Sequence, residues 1–275
     1  MSVSAMSLKA RIRNYAREHN IAAQVVLQNY MFERFLARLS ESEYCEKFVI
    51  KGGMLITAIV GLDTRTTMDL DTTLKNLPLT ESTVIKAVEN ICAVDLGDDV
   101  MFKLISIDTI RKDDEYGGFR VRIDAVFDTI VIPFSLDIST GDVITPAAIQ
   151  YEFGSVFDDE VRIRLWGYNI ETVMAEKMET ILRRGIYNTR PRDYYDIYIL
   201  EATQQYDKKL FKAALEAMAK HRGSSENLEN GETVIHLISE NKELQNTWMK
   251  YQNKFSYAES ISYEDIIKVL FKLIM

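Results

Sequence analysis

The sequence predicts an α+β fold: a mixed sheet with flanking helices, followed by a helical C-terminal part. Three observations predict it. Apolar residues recur at helical spacing through the first forty residues. The stretch from Val100 to Ser139 is strand-like, with apolar and polar residues alternating most clearly over residues 119–125. After Tyr168 the pattern turns helical again. The 275 residues accordingly divide into an α/β domain with N-terminal helices over residues 1–165 and a helical domain over residues 166–275, the change falling between Gly141 and Tyr168.

Taken in order, Ser7 is a candidate cap for a helix through Leu8, Ile12 and Tyr15. A second helix runs from Ala22 to Leu39, with Val25, Phe32, Leu36 and Leu39 on one face. Phe48-Val49-Ile50 reads as a short buried strand that runs into Lys51-Gly52-Gly53. Met54 to Val60 is a short helix closed by Gly61. Met68 to Leu74 is the next strand, and Thr80-Glu81 opens a helix to Ala93. Phe119, Val121, Ile123 and Ala125 alternate with Arg120, Arg122 and Asp124 on a strand that Ile130–Ile138 is placed to pair with. Ala148 to Trp166 reads as a hairpin turning near Asp158-Asp159. Helices follow at Ile170–Arg184, Asp193–Ala202, Leu210–His221 and Tyr263–Ile274, and polar Gly223–Gly231 reads as a loop or hinge.

Composition narrows the function classes. The net charge of -8 argues against a protein that coats nucleic acid non-specifically. Cys45 and Cys92 lack zinc-ligand spacing and read as reduced thiols. No apolar run reaches the roughly 18 residues of a membrane span, and Met1–His19 has no apolar signal core, so a cytoplasmic location is expected. His19, His221 and His236 have no partners at useful spacing, which leaves a histidine nucleophile without support.

The informative segment is KGGMLITAIVGLDTRTTMDLD, residues 51–71. Residues i and i+2 of a strand share a face, so Asp69 and Asp71 project side by side while Leu70 points to the core. Two adjacent carboxylates repel unless a cation lies between them, and Mg2+ favours a few carboxylates together with phosphate and water oxygens. Gly52 and Gly53 remove side chains where a ligand can approach, and the next helix offers unpaired N–H groups to phosphate. Arg65, Thr66 and Thr67 precede the acidic strand as further donors. For a third carboxylate Asp137 and Asp124 both interrupt apolar strands. Asp137 is preferred because Leu136 and Ile138 flank it, whereas Asp124 shares a face with Arg120 and Arg122.

A strand, a diglycine, a helix, D-x-D and a third strand Asp together resemble the nucleotidyltransferase fold of DNA polymerase beta-like enzymes. The chain is more closely similar to the AbiEii/AbiGii family of bacterial toxins. The resemblance runs from about residue 45 to residue 202, through Lys51-Gly52-Gly53, Arg65–Asp71, Asp137–Asp142, Ala175-Glu176-Lys177 and Arg190–Asp196. It implies a nucleotidyltransferase toxin of a toxin–antitoxin or abortive-infection system, with a cognate antitoxin as partner. Mg2+ or Mn2+ would be its metal and an NTP its substrate. Asp69, Asp71 and Asp137 would hold the metal. Lys51, Gly52, Gly53, Arg65 and Thr67 would serve the nucleotide, Lys177 would contact the triphosphate, and Asp193 would orient Lys177 or the acceptor hydroxyl. Where many nucleotidyltransferases have Gly-Ser this chain has Gly53-Met54, so Thr57 or Thr67 would have to replace that hydroxyl.

Transfer of NMP to RNA, at the tRNA 3′ end, is the leading expectation, with no membrane or DNA partner. Arg11/Arg13/Arg17, Arg183/Arg184/Arg190 and Lys208/Lys209/Lys212/Lys220 are candidate backbone contacts, and Tyr187 is a candidate stacking residue. A small-molecule acceptor and a non-catalytic nucleotide-binding module are the alternatives.

Overall fold

The computed structural model describes residues 5–110, 117–158 and 160–275. The chain forms two compact units. One comprises Met1–Asp142 with Ala148–Tyr168, and the other Val143–Ala147 with Asn169–Met275. The division is not a single cut in sequence, because Asn169 Nδ2 donates to the carbonyls of Thr145 and Ala147 and ties that short segment to the helical unit.

The first unit opens with α1 (Ala5–Glu18) and α2 (Ala23–Glu41). Ser7 lies inside α1 and is not its cap, since the helix is already formed at Ala5. Strand β1 (Phe48–Lys51) leads into α3 (Gly52–Val60), then β2 (Asp69–Leu74) and α4 (Glu81–Cys92). The diglycine is thus the first turn of α3, not a linker ahead of it. Thr80 caps α4 by accepting from the Thr83 N–H. Strands β3 (Met101–Ile110), β4 (Gly118–Phe127) and β5 (Ile130–Ser139) form a meander, and β6 (Ile149–Gly154) and β7 (Arg162–Gly167) form a hairpin. Of the expected turn near Asp158-Asp159, Asp159 lies outside the described residues.

All seven strands join one mixed sheet in the order β3-β4-β5-β2-β1-β7-β6, with β2–β5 and β1–β7 parallel. Alternation decides its faces. Leu70, Val121, Ile123, Leu136 and Ile138 are fully buried, and Phe134 meets Phe32 and Phe35 of α2 edge-on at 5.3 and 5.6 Å. The polar residues between them point the other way, so the core on the helix-covered face fixes which side the site residues occupy.

The second unit holds α5 (Ile170–Arg184), α6 (Pro191–Thr203), α7 (Lys208–His221), α8 (Ser225–Glu229), α9 (Gly231–Glu240), α10 (Lys242–Lys254) and α11 (Tyr263–Ile274). Asn169 caps α5, Asp207 caps α7, and Ser262 with Asp265 forms a capping box on α11. The polar stretch Gly223–Gly231 is not an open loop. It contains α8, and buried Ser224 donates to Glu179 on α5. Glu179, almost fully buried, also accepts from Arg183 and Arg222 and so links α5 to the end of α7.

Among the described residues, no helix is long and apolar enough to cross a membrane.

Candidate active site

Strand register builds the site. Lys51 on β1 is the partner of Asp71 on β2, Asp71 of Asp137 on β5, Asp137 of Arg120 on β4, and Arg120 of Asp108 on β3. Register partners share a face, so five strands carry one row of charged side chains in which Asp71 and Asp137 stand side by side between Lys51 and Arg120. Two residues back along β2, Asp69 is the partner of Ser135, which faces Arg122. Asp69 is exposed and Asp71 half-buried on the same side, while Leu70 between them is fully buried. Asp137 stands on that side too, as does Asp124, which lies further along β4 opposite Pro133 and Lys103.

The diglycine is required by the protein's own side chains. Gly52 has φ +64°, and a Cβ there would collide with the carboxylate of Asp71. A Cβ on Gly53 would lie 2.7 Å from Thr67 Oγ1 and 3.3 Å from an Arg65 guanidinium nitrogen. The glycines therefore let Asp71, Thr67 and Arg65 close over the start of α3. Arg65 is buried and donates to the Thr66 carbonyl, bracing the loop before β2. Thr67 Oγ1 lies 3.2 Å from the Asp69 carbonyl. Thr57 Oγ1 donates to the Gly53 carbonyl at 2.9 Å. Both hydroxyls considered as replacements for the missing serine are thus engaged with backbone at the diglycine or at Asp69.

Lys51 is buried, with its ammonium 2.8 Å from Ser139 Oγ and 2.5 Å from Asp142 Oδ2. Ser139 Oγ in turn donates to Asp142 at 2.8 Å. The lysine of the diglycine motif thereby ties the end of β1 to the turn after β5. Sequence reasoning placed Asp142 in a motif but did not assign it as this partner. A buried lysine needs an anion, and that requirement was the available signal.

Arg120 is the residue that sequence reasoning missed. Its Nε and Nη2 each donate to Asp137, both at 2.7 Å, in a forked pair. This bond to Asp137, then the charge of Asp137, and beyond burial the charges of Asp69 and Asp71, hold the guanidinium pKa above its ordinary value. Three carboxylates thus act on one cation, the Arg120 guanidinium. Hard oxygen donors of this kind suit Mg2+ or Mn2+. With Asp137 engaged by Arg120, no group of three or more His, Cys, Asp or Glu among the described residues is set to hold a metal.

In the helical unit, Lys177 on α5 reaches Asp193 at 2.7 Å and Asp196 at 3.4 Å, both on α6 and both buried. Burial works to lower the lysine pKa, but Asp193 and then Asp196 outweigh it and raise the pKa above the ordinary value. The ammonium is firmly charged. Arg192 lies over the Phe255 ring. Of the tyrosines, Tyr194 and Tyr195 are core and Tyr187 is 81% exposed.

In one mixed sheet a strand, a diglycine and a helix are followed by a D-x-D strand, the order expected of a nucleotidyltransferase. Two solved structures share its architecture. A candidate nucleotidyltransferase from H. pylori matches with 14% identity over 92% of this chain and 94% of its own, at a TM-score of 0.51. JHP933 from Helicobacter pylori also matches with 14% identity, over 92% of this chain and 91% of its own, at a TM-score of 0.51. At this identity the likeness establishes the fold. Residues 34–269 match the family described as nucleotidyl transferase AbiEii toxin, type IV toxin–antitoxin system, and the chain belongs to that family. No curated protein matches it.

Proposed function

We propose that this nucleotidyltransferase toxin moves a nucleoside monophosphate from an NTP to RNA, at the 3′ end of tRNA, with Mg2+ or Mn2+ as the ion. The observation that carries this reading is the shared face of Asp69, Asp71 and Asp137 beside the N-terminus of α3. Asp69 and Asp71 would hold the ion, with Asp137 as third carboxylate. When bound, a divalent cation supplies Lewis acidity toward the attacking hydroxyl and neutralises charge on the leaving pyrophosphate.

The chain's own residues do the rest. Gly52 and Gly53 bring the first N–H groups of α3 beside the carboxylates, where they can receive phosphate oxygens. Buried Arg65 and Thr67 keep that turn closed, and Lys51 holds β1 against the turn after β5. In the helical unit Lys177, kept charged by Asp193 and Asp196 and positioned by Asp193, is the ammonium with the chemistry to bind a triphosphate. Exposed Lys208, Lys209, Lys212 and Lys220 on α7 support a polyanionic acceptor. The family implies an antitoxin partner.

The test incubates the protein with Mg2+, each labelled NTP in turn and total tRNA. Label entering tRNA, and lost with Asp69→Asn, supports the reading. Label entering none of the tRNA with any NTP, from folded protein, overturns the RNA acceptor.

A further inference from the structure

Backbone register and side-chain placement disagree at Asp137. Register sets Asp137 directly beside Asp71 on the face that also carries Asp69, an arrangement that should yield three converging carboxylates. The side chains do not converge, because both Asp137 oxygens are taken by the Arg120 fork from the opposite neighbouring strand. On its far side Arg120 has a second acidic register partner, Asp108 on β3. Among the described residues, Asp108 is more than half exposed and makes a loose contact with Arg122 at 3.7 Å. Arg120 therefore stands between two carboxylates on the same face, and it is itself about half exposed.

We propose that Arg120 is a resident counter-cation that keeps Asp137 from the Asp69–Asp71 pair until a divalent ion enters, and that Asp108 receives Arg120 when it lets go. The inference rests on the reading of Asp69 and Asp71 as metal ligands. A guanidinium and a divalent ion compete for one carboxylate, and Mg2+-type ions require ligands in near-ideal geometry. The ion that binds has to displace Arg120 from Asp137, and the exchange is cheap because the guanidinium passes from one carboxylate to another. Arg120 is thus a positioning residue that sets metal affinity. Apparent affinity falls by the fraction of molecules in which Asp137 is released.

The experiment is titration of the full-length protein with Mn2+ alone, without nucleotide, following the ion by electron paramagnetic resonance. If Asp137 is released about a tenth of the time, Arg120→Gln should tighten Mn2+ binding about tenfold. Asp108→Asn should weaken it several-fold by removing the alternative partner. The gain from Arg120→Gln should disappear when Asp137→Asn is added. Lys103→Gln, which removes a cation elsewhere on the same face, should leave the affinity within about twofold, since exposed charges at that range are screened. The proposal is overturned if Arg120→Gln leaves Mn2+ affinity unchanged, or if its gain survives Asp137→Asn. If Asp69→Asn binds Mn2+ as tightly as wild type, the metal-site reading fails, a result distinct from failure at Arg120. Thermal unfolding of each variant separates loss of affinity from loss of fold.

Discussion

Asp69 and Asp71 point the same way yet sit differently, one exposed and the other half-buried over Gly52. Each is expected to be indispensable for transfer and dispensable for folding. Asp69→Asn and Asp71→Asn should lower NMP transfer by about 10²–10⁴-fold, the loss expected when an electrostatic contribution of several kcal/mol disappears. Asn is nearly isosteric, and removing one of two crowded charges relieves repulsion, so thermal midpoints should stay level or rise slightly. Near wild-type transfer by both variants would make the pair structural. Gly52→Ala is the converse case. It forces a side chain into φ +64° and into the Asp71 carboxylate, and should cost about 1–3 kcal/mol in denaturant unfolding. Transfer should fall as well, because the displaced group is Asp71. An unchanged midpoint would show that the turn relaxes around the methyl.

At the scale of elements, each unit is pinned by a buried charge on a helix. In the helical unit Glu179 on α5 accepts from Arg183, Arg222 and Ser224. Glu179→Ala would remove a buried carboxylate partner of Arg222, which also meets Glu176 and the Thr180 hydroxyl, and should destabilise the protein by about 3–5 kcal/mol. A drop below about 1 kcal/mol, measured by denaturant titration, would mean that water replaces the carboxylate. In the sheet unit Arg38 on α2 is held by a forked pair with Asp98 and by the Val100 carbonyl. Burial would raise the Asp98 pKa, but the Arg38 bonds and charge, with the Val100 N–H, lower it below the ordinary value. A carboxylate with a depressed folded pKa contributes stability above its unfolded pKa and loses it as pH falls through the folded pKa. Asp98→Asn should therefore lower stability at neutral pH and flatten the acid limb below about pH 4. Equal slopes in the two proteins would exclude Asp98 as a source of acid lability.

At the scale of the molecule, membership in a toxin family predicts a phenotype that depends on the site. Expression of the wild type alone should arrest growth, Asp69→Asn should not, and co-expression of a neighbouring antitoxin gene should restore growth. Arrest by the Asp69→Asn protein at equal abundance would separate toxicity from transfer.

Much of this architecture was legible in the sequence, because it rests on local periodicity. Alternation of period two around Leu70, Leu136 and residues 119–125 determined which side chains face the core, and hence that Asp69 and Asp71 share the other face. Helical spacing likewise marked α2, α4, α5, α7 and α11. The helices α9 and α10 escaped notice, although Val234, Ile235, Leu237 and Ile238 make α9 apolar, because both follow the polar stretch that Glu179 and Ser224 explain. Two charge pairs escaped because their members are distant in sequence: Lys51 with Asp142 and Arg120 with Asp137 join residues 91 and 17 positions apart, whereas Asp193 was expected beside Lys177 from the resemblance. Local sequence sets which face a residue occupies. Only tertiary structure decides which opposite charge meets it, since strand order and register are properties of the whole sheet, and an ion pair forms wherever those bring two charges within reach.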